Sequence, residues 1–312
     1  MSDTKEKRSY TFGPVPSRRL GRSLGIDFVP FKTCTYDCVY CQLGRTTCKT
    51  AEIGEYYPLE DVLRDVKTKL STIPRPDYIT LSGSGEPTLY SRMAELIHEI
   101  KNIADIPIAV LTNGSLFWNE DVCRAVSNAD LLLPSLDAGD EETFLLVNRP
   151  HGDITFGKMV DGLCSLRDHF TGTIWLEVFL IGGTSDTDAS VDRIKGYADR
   201  ISPDLVQLNT AVRVPAESWV RMVPRSRLEE IAAGMGAHCE VIADYEAVET
   251  FREFESTCDD VLEMLKRRPC SIDDISDGLC LHRNESVKYV RQLLDQHLIK
   301  MKTQGGKTLY YT

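Results

Sequence analysis

Residues 33–42 are TCTYDCVYCQ, a stretch that places the three cysteines Cys34, Cys38 and Cys41 in one short loop. Three residues separate the first pair and two residues separate the second. A cubane iron–sulfur cluster has four irons and ordinarily takes four thiolates, so a loop that offers three leaves one iron open to a second molecule. The spacing therefore predicts a [4Fe-4S] site with an open iron.

The alternative to an iron–sulfur cluster is a zinc site completed by Cys48 or His151, although zinc prefers paired C-x-x-C units and four closed ligands. The chain has 312 residues, ten cysteines and a formal net charge of −11. A long chain of this kind is typical of an intracellular enzyme rather than of a short disulfide-bonded domain. The sequence shows no signal-peptide h-region and no apolar run of roughly 18 residues. We therefore expect a cytoplasmic protein with no membrane segment.

The octapeptide CTYDCVYC resembles the C-x3-C-x-aromatic-C signature of the radical SAM superfamily, with Tyr40 as the aromatic residue. Five further segments resemble its wyosine-synthase-like subgroup: GPVPSRRLGRSLGI (13–26), LSGSGEPT (81–88), LTNGSL (111–116), SLDAGDEETFLLVNRPH (135–151) and VQLNT (206–210). The resemblance covers about residues 10–250. It implies a [4Fe-4S] cluster and S-adenosylmethionine as cofactors. It also implies an enzyme that cleaves S-adenosylmethionine reductively, so that a 5′-deoxyadenosyl radical takes hydrogen from a substrate that the sequence does not identify.

Short apolar or β-branched runs alternate with segments of helical periodicity over most of the chain. The runs predict six strands, at 24–29, 78–82, 108–112, 131–136, 174–180 and 205–208. Between them, helices are expected at 59–70, 91–103, 120–126, 156–169 and 190–200. Such alternation is typical of an α/β protein with a parallel sheet covered by helices. Six units are fewer than those of a full barrel, which takes about 250 residues, and match the partial (β/α)6 TIM-type barrel of the superfamily.

The C-terminal part differs from the rest in charge and in pattern. Residues 1–255 carry 27 Lys+Arg and 39 Asp+Glu, whereas residues 256–312 carry nine and eight, which predicts a boundary near Glu255. Three helical segments, at 257–266, from 271 onward and at 285–297, precede a hairpin at 298–312 with a Gly-Gly turn. The segment resembles a winged helix-turn-helix. The predicted domains are therefore a barrel (1–255) and a winged-helix domain (256–312), whose third helix presents Lys288 and Arg291.

Polar or small residues follow several of the predicted strands, where an α/β barrel gathers its functional groups. Gly83, Ser84, Gly85 and Glu86 resemble the Gly-Gly-Glu motif of the superfamily. Glu86 is expected either to accept from the methionine ammonium or to brace the loop. The resemblance implies that S-adenosylmethionine is bound by Tyr40, Gly83, Ser84, Gly85, Glu86, Asn113, Ser135, Asp137 and Asn209. It assigns no catalytic side chain.

Several residues near the predicted barrel mouth have two interpretations. A group of three arginines could bind a phosphate or carboxylate or could belong to a solvated basic face: Arg18, Arg19 and Arg22. Glu177 is a functional candidate only if it points into the barrel. Asn148, Arg149 and His151 form an NRPH segment that is expected to face the substrate.

The substrate and the partners remain open at the level of sequence. Wyosine synthases carry a further cysteine set upstream, and this chain has no cysteine before Cys34. Three hypotheses stand: an enzyme whose tail docks nucleic acid or protein, a wyosine-type enzyme acting on transfer RNA, and an iron–sulfur or SAM-sensing DNA-binding regulator. The enzyme hypotheses require a low-potential electron donor of the flavodoxin or ferredoxin type. An auxiliary cluster in the tail would use Cys258, Cys270 and Cys280.

Overall fold

The computed structural model describes residues 9–17, 19–213, 215–243, 245, 258–267, 269–279, 281, 283–304 and 307–312. The domain boundary expected near Glu255 and the predicted residues Arg18 and Cys280 lie outside this range. None of the helices in the described ranges is both long enough and apolar enough to cross a membrane.

One eight-stranded sheet forms the centre of the fold. Its strands are β1 (Thr11–Ser17), β2 (Gly21–Ile26), β5 (Tyr78–Leu81), β6 (Ile108–Leu111), β7 (Leu131–Leu133), β8 (Thr173–Leu180), β9 (Leu205–Thr210) and β10 (Cys239–Val241). They lie side by side in that order. β1 is antiparallel to β2 and every other neighbouring pair is parallel. All six predicted strands are in this sheet, and β1 and β10 extend it at its two edges. A separate parallel pair, β3 (Thr33–Cys34) and β4 (Cys48–Lys49), closes the cysteine loop.

Helices connect the parallel strands and cover the sheet. They are α1 (Leu59–Leu70), α2 (Met93–Ile103), α3 (Glu120–Val126), α4 (Glu141–Val147), α5 (Phe156–His169), α6 (Asp188–Ile201) and α7 (Arg225–Met235). The five predicted helices are present within three residues of their expected bounds. α4 and α7 were not predicted, because their apolar pattern is weak: Leu145 and Leu146 of α4 are exposed, and only two residues of α7 are buried.

The sheet curves strongly enough to bring its distant strands together. β2 and β8 are four inter-strand spacings apart, which in a flat sheet would separate them by roughly 19 Å. Yet Arg19, just before β2, donates from Nη1 to Glu177 of β8 at 2.5 Å. Below this contact, Leu20 packs with Ala109, Leu131 and other buried apolar residues from β6 and β7. The structure is therefore an α/β fold of the partial-barrel type, with an apolar lower interior and a polar upper one.

The C-terminal part has its own small core. It contains α8 (Cys258–Arg267), α9 (Ile272–Gly278), α10 (Arg283–Asp295) and an antiparallel pair, β11 (Lys300–Gln304) and β12 (Lys307–Tyr311). Ser271 caps α9 with a capping box to Asp274. Val261, Leu265, Ile275, Val290, Leu293 and other apolar residues are buried together. The order of elements is the one expected from the sequence.

Candidate active site at the cysteine loop

The cysteine loop follows β2 and is fixed from both sides. Val39, between the second and third cysteines, is fully buried and packs with Val147, Phe179 and Val220. Its N–H donates to the carbonyl of Val147 at 2.9 Å, and its carbonyl accepts from the N–H of Glu217 at 3.0 Å. The loop therefore has a defined backbone, although no long element of secondary structure contains it.

Each of the three cysteine sulfurs accepts a hydrogen bond from a different side chain. Asn113 Nδ2 lies 3.5 Å from Cys34 Sγ, and Asn148 Nδ2 lies 3.5 Å from Cys38 Sγ. Burial raises the pKa of Cys34 to about 12 and that of Cys38 well above its usual value. Cys34 and Cys38 therefore hold their protons more tightly than an ordinary thiol, and binding a metal would displace those protons.

The third sulfur is paired with a residue that the sequence interpretation missed. Lys32 Nζ lies 3.0 Å from Cys41 Sγ, and Lys32 is only 3% exposed. Burial lowers the pKa of Lys32, but the nearby cysteine sulfurs, Cys41 first, more than offset this and raise it. A lysine two residues before the first cysteine was the available signal, but nothing in its spacing indicated that it would turn inward.

The loop after β5, with the sequence GSGEP, packs directly on the cysteine loop. A Cβ atom added to Gly85 would meet the carbonyl oxygen of Thr33 at 2.5 Å, so only glycine allows this approach. The N–H of Glu86 donates to the same carbonyl at 3.0 Å, and the carbonyl of Ser84 accepts from the N–H of Lys32 at 2.7 Å. The Ser84 hydroxyl donates to Asp27 Oδ2 at 2.7 Å. The motif therefore supports the cysteine loop as well as lining the mouth.

Both carboxylate oxygens of Glu86 accept hydrogen bonds from the protein. Oε1 accepts from the N–H of Thr88 at 3.0 Å and from the hydroxyls of Thr88 and Thr112 at 2.6 Å, and Oε2 accepts from the N–H of Asn113 at 2.9 Å. Glu86 is 3% exposed, and burial raises its pKa. Of the two roles that the sequence left open, this arrangement supports bracing of the loop.

Tyr40 and Asp137 form a second brace. The Tyr40 hydroxyl donates to Asp137 Oδ2 at 2.5 Å, and the Tyr40 ring stacks on Phe179 with centroids 3.9 Å apart and planes inclined by 13°. Asp137 also accepts from Asn148 Nδ2 at 2.7 Å and from the N–H of Phe179 at 3.1 Å. Burial raises the pKa of Asp137 to about 6. Asn148, expected to face the substrate, instead links this brace to Cys38.

The remaining predicted residues lie on the upper interior of the barrel. Asn209 Nδ2 donates to Glu177 Oε1 at 2.9 Å. Ser135, which follows β7, is half-buried and forms an isolated parallel β-bridge with Glu177. Glu177 points inward, as the functional interpretation required. Burial raises the pKa of Glu177, but Arg19 and Asn209 more than offset this and lower it, so the carboxylate is ionised. Both side chains of the Arg19–Glu177 pair are about one-fifth exposed, at 20% and 19%.

The other candidate metal ligands lie elsewhere. Cys48 is exposed, and His151 Nδ1 lies 3.4 Å from Asp153. Across the described ranges, no three histidine, cysteine, aspartate or glutamate side chains converge as ligands of one metal ion. In a cubane cluster each thiolate binds its own iron, so the ligands need not share one ion. Cys258 and Cys270 belong to the apolar core of the tail.

α10 of the tail lies against the cysteine loop side of the barrel. The guanidinium of Arg283 is 4.8 Å from the ring centroid of Phe12, and that of Arg291 is 5.8 Å from the ring of Phe31, three residues before Cys34. Lys288 is partly buried, and burial lowers its pKa. Of the two basic residues predicted on the third helix, Arg291 therefore contacts the barrel in this arrangement.

Comparison with known proteins identifies the family. A family model described as the radical SAM superfamily matches residues 28–198, which contain the three cysteines and the GSGEP loop. The chain belongs to the radical SAM superfamily. Radical SAM proteins use a [4Fe-4S] cluster and S-adenosylmethionine and need an electron donor, so the predicted cofactors are confirmed. The donor set fits them, since three cysteine sulfurs that accept hydrogen bonds lie beside Gly85, a position with no room for a Cβ atom.

Three relatives extend the similarity along the chain. A Brachyspira hyodysenteriae protein named GTPase Obg is 38% identical over 310 residues, which is 98% of this chain but 46% of that protein. This chain thus spans about half the length of that relative. A UPF0026 protein of Methanocaldococcus jannaschii is 39% identical over 215 residues, 68% of this chain and 67% of that protein. A UPF0026 protein of Helicobacter pylori strain J99 is 30% identical and covers 98% of both chains.

Solved structures of other radical SAM proteins share the fold. A radical SAM methyltransferase from Sphaerobacter thermophilus matches with a TM-score of 0.52 and 17% identity, over 71% of this chain and 66% of that one. Streptococcus suis SuiB bound to S-adenosylmethionine matches with a TM-score of 0.53 and 13% identity, over 75% of this chain and 53% of that one. At these identities the match supports the partial barrel and nothing finer.

Proposed function

We propose that this chain is a radical SAM enzyme that abstracts hydrogen from a substrate held in the upper barrel interior. When bound, the reduced cluster and S-adenosylmethionine supply a 5′-deoxyadenosyl radical. The single observation that carries the proposal is the set of three cysteine sulfurs, each with its own N–H donor, directly against the loop of Gly85. A redox sensor would need the cysteines but not this second loop.

Different residues of the chain would have different roles in the site. Cys34, Cys38 and Cys41 would hold the cluster. Gly83 and the hydroxyl of Ser135 are candidates for direct contact with S-adenosylmethionine, since the side chain of Ser84 is engaged by Asp27. Glu86, Asn113, Asp137 and Asn209, whose polar groups are hydrogen-bonded within the protein, would fix the shape of the site. The stacked ring of Tyr40 would shield the mouth from water.

The Arg19–Glu177 pair supports an anionic group on the substrate. Among the described residues, Glu177 and Gln207 accept from Nη1 of Arg19, at 2.5 and 3.4 Å. The Arg19 side chain is 20% exposed, and the fork of a guanidinium suits a carboxylate or phosphate. Titration calorimetry with inorganic phosphate and with acetate should detect binding that Arg19→Gln removes. Arg22→Gln, which alters an exposed arginine paired with Asp77, is the control.

The enzyme activity has a direct test. The full chain is reconstituted anaerobically with iron and sulfide, reduced with dithionite and given S-adenosylmethionine, and 5′-deoxyadenosine is measured. Cys38→Ala should abolish both the visible absorbance of the cluster and release of the nucleoside, whereas Cys164→Ala, an isolated cysteine on α5, should leave both unchanged. No release from the wild-type protein under reducing conditions would refute the proposal.

We also propose that the tail is a winged-helix domain with a docking role for protein or nucleic acid. The packing of α10 beside Phe31 favours a tail that works together with the barrel rather than an independent DNA reader, because a recognition helix must be free to enter the major groove. Filter binding with duplex DNA at two salt concentrations separates these roles. Tight, salt-sensitive binding would favour the alternative of a cluster-sensing regulator.

The proposal extends to the class of macromolecular partner. The motifs that resemble wyosine synthases favour transfer RNA, but a net charge of −11 is a poor match for an RNA backbone. The Brachyspira hyodysenteriae relative joins a region similar to this chain to a further region under the name GTPase Obg. This favours a GTPase of that kind as the protein partner. Calorimetric titration of the two purified proteins, with GDP and with a GTP analogue, tests the association.

A further inference from the structure

Only one of the three side chains that donate to the cysteine sulfurs carries a charge. Asn113 and Asn148 offer neutral amide groups at 3.5 Å, whereas Lys32 offers an ammonium at 3.0 Å from Cys41. The three donors come from different parts of the chain, after β6, after α4 and from the cysteine loop itself. A shell of hydrogen bonds to sulfur is one of the means by which a protein sets the potential of an iron–sulfur cluster.

Lys32 is held firmly in this position by its backbone. Its N–H donates to the carbonyl of Ser84 at 2.7 Å, and its carbonyl accepts from the N–H groups of Thr47 and Cys48 at 3.2 and 3.1 Å. Its φ angle is +54°, in the left-handed region that glycine adopts freely and other residues adopt at a cost. The backbone conformation therefore does not favour a lysine at this position, and the contact of its ammonium with Cys41 accounts for its presence.

The buried ammonium has the cysteine sulfurs as its compensating groups. A buried charge is costly unless it is paired. Across the residues that the structure describes, no carboxylate oxygen lies within salt-bridge distance of Lys32, and its ammonium contacts the sulfur of Cys41 at 3.0 Å. With Lys32 only 3% exposed, solvent ions screen this charge much less than they screen a surface lysine.

We infer that Lys32 is a positioning residue that raises the reduction potential of the cluster by placing a fixed positive charge beside Cys41. The inference rests on the proposed function. One electron from a low-potential donor takes the cluster from the [4Fe-4S]2+ to the [4Fe-4S]+ state, with no bond made or broken and no proton transferred. The added negative charge is stabilised by the ammonium more than by the two neutral amides, so reduction becomes easier.

The test compares the midpoint potentials of matched variants of the full chain. Lys32→Gln removes the charge and keeps an N–H donor, and Lys32→Arg keeps the charge. Lys49→Gln is the control, because Lys49 lies at the end of the same loop but is exposed and donates to the carbonyls of Arg149 and Pro150. Each protein is reconstituted to the same iron content and titrated anaerobically against mediators, with electron paramagnetic resonance reporting the reduced cluster.

Lys32→Gln should lower the equilibrium constant for reduction at least tenfold, which is a shift of about 59 mV for one electron. Lys32→Arg and Lys49→Gln should match the wild-type protein. Equal potentials for Lys32→Gln and the wild type would overturn the inference. So would loss of the cluster from both Lys32 variants while Lys49→Gln retains it, since Lys32 would then hold the loop rather than tune the cluster. A lowered potential in Lys32→Gln, together with no release of 5′-deoxyadenosine by the wild-type protein, would support this inference and refute the proposed function.

Discussion

Replacement of Glu86 by glutamine distinguishes a residue that braces the site from one that binds S-adenosylmethionine. The glutamine oxygen can keep the hydrogen bonds from Thr88 and Thr112 that Oε1 now accepts. The amide nitrogen then replaces Oε2, and it cannot accept from the N–H of Asn113, which donates at 2.9 Å in the native protein. Two donors would face each other in a site that is 3% exposed.

The expected destabilisation follows from this change. A buried donor without an acceptor costs about 1–3 kcal/mol. The substitution creates one such donor on the backbone and adds the amide N–H groups themselves, so we expect Glu86→Gln to lower the free energy of unfolding by about 2–4 kcal/mol. This is a large part of the roughly 5–15 kcal/mol that holds a typical domain folded.

The assay is urea unfolding of the cluster-free protein, followed by circular dichroism, so that no cofactor contributes to the result. Glu52→Gln is the control, because Glu52 is exposed and in a loop. The bracing role requires a lowered unfolding midpoint for Glu86→Gln alone. The reasoning is refuted if the cluster-free Glu86→Gln protein is as stable as the wild type while the reconstituted variant binds S-adenosylmethionine more weakly.

Three further predictions concern other parts of the site. Asp137 has a pKa of about 6 in the folded state, against its ordinary value of 3.8 in the unfolded state. Between these values the folded state holds a proton that the unfolded state has released. The stability that this proton contributes is therefore complete below pH 3.8 and is lost as pH rises through about 6. In urea unfolding, Asp137→Asn should therefore lose less stability than the wild type between about pH 4 and 7, by about 3 kcal/mol at most. Gly85→Ala should push back the carbonyl of Thr33 and reduce the iron bound after reconstitution several-fold, as measured by colorimetric iron analysis. Arg291→Ala should remove about 0.5–1 kcal/mol of cation–π stabilisation from Phe31. Amide hydrogens of the cysteine loop should then exchange about two- to fivefold faster by mass spectrometry.

Each of these three predictions has a matched control. Asp168→Asn alters an exposed aspartate and should keep the wild-type pH dependence. Gly157→Ala places a methyl group in open space on α5 and should bind the full complement of iron. Arg64→Ala removes an exposed arginine on α1 and should leave exchange in the cysteine loop unchanged. A variant that behaves like its control would contradict the corresponding prediction.

Much of the fold was predictable because it depends on patterns that are local in sequence. The six central strands have apolar runs of the length expected for buried parallel strands, and α1, α3 and α5 begin and end where their periodicity predicts. The edge strands β1 and β10 were missed. β1 contains two prolines, and β10 is only three residues long, so neither shows a strand pattern.

The grouping of the three cysteines was also predictable, whereas the roles of their neighbours were not. Spacing alone brings Cys34, Cys38 and Cys41 into one loop, because the chain between them is short. Whether Glu86 binds a ligand or braces a loop depends on Thr112 and Asn113, which approach it from the segment directly after β6. A motif gives the identity of a side chain but not the number of its hydrogen-bonding positions that the protein has already filled.

The sequence by itself predicted the superfamily and its cofactors, since three cysteines at this spacing, with the motifs that follow them, resemble its signature and the family model matches the same region. Only the tertiary structure decided what surrounds that cluster. Lys32 turns inward because its backbone is fixed by Ser84 and Thr47, and Arg19 meets Glu177 because the sheet curves. Both contacts depend on the path of the whole chain. A charge can act across a fold on groups far away in sequence, and no local pattern records where that fold will place it.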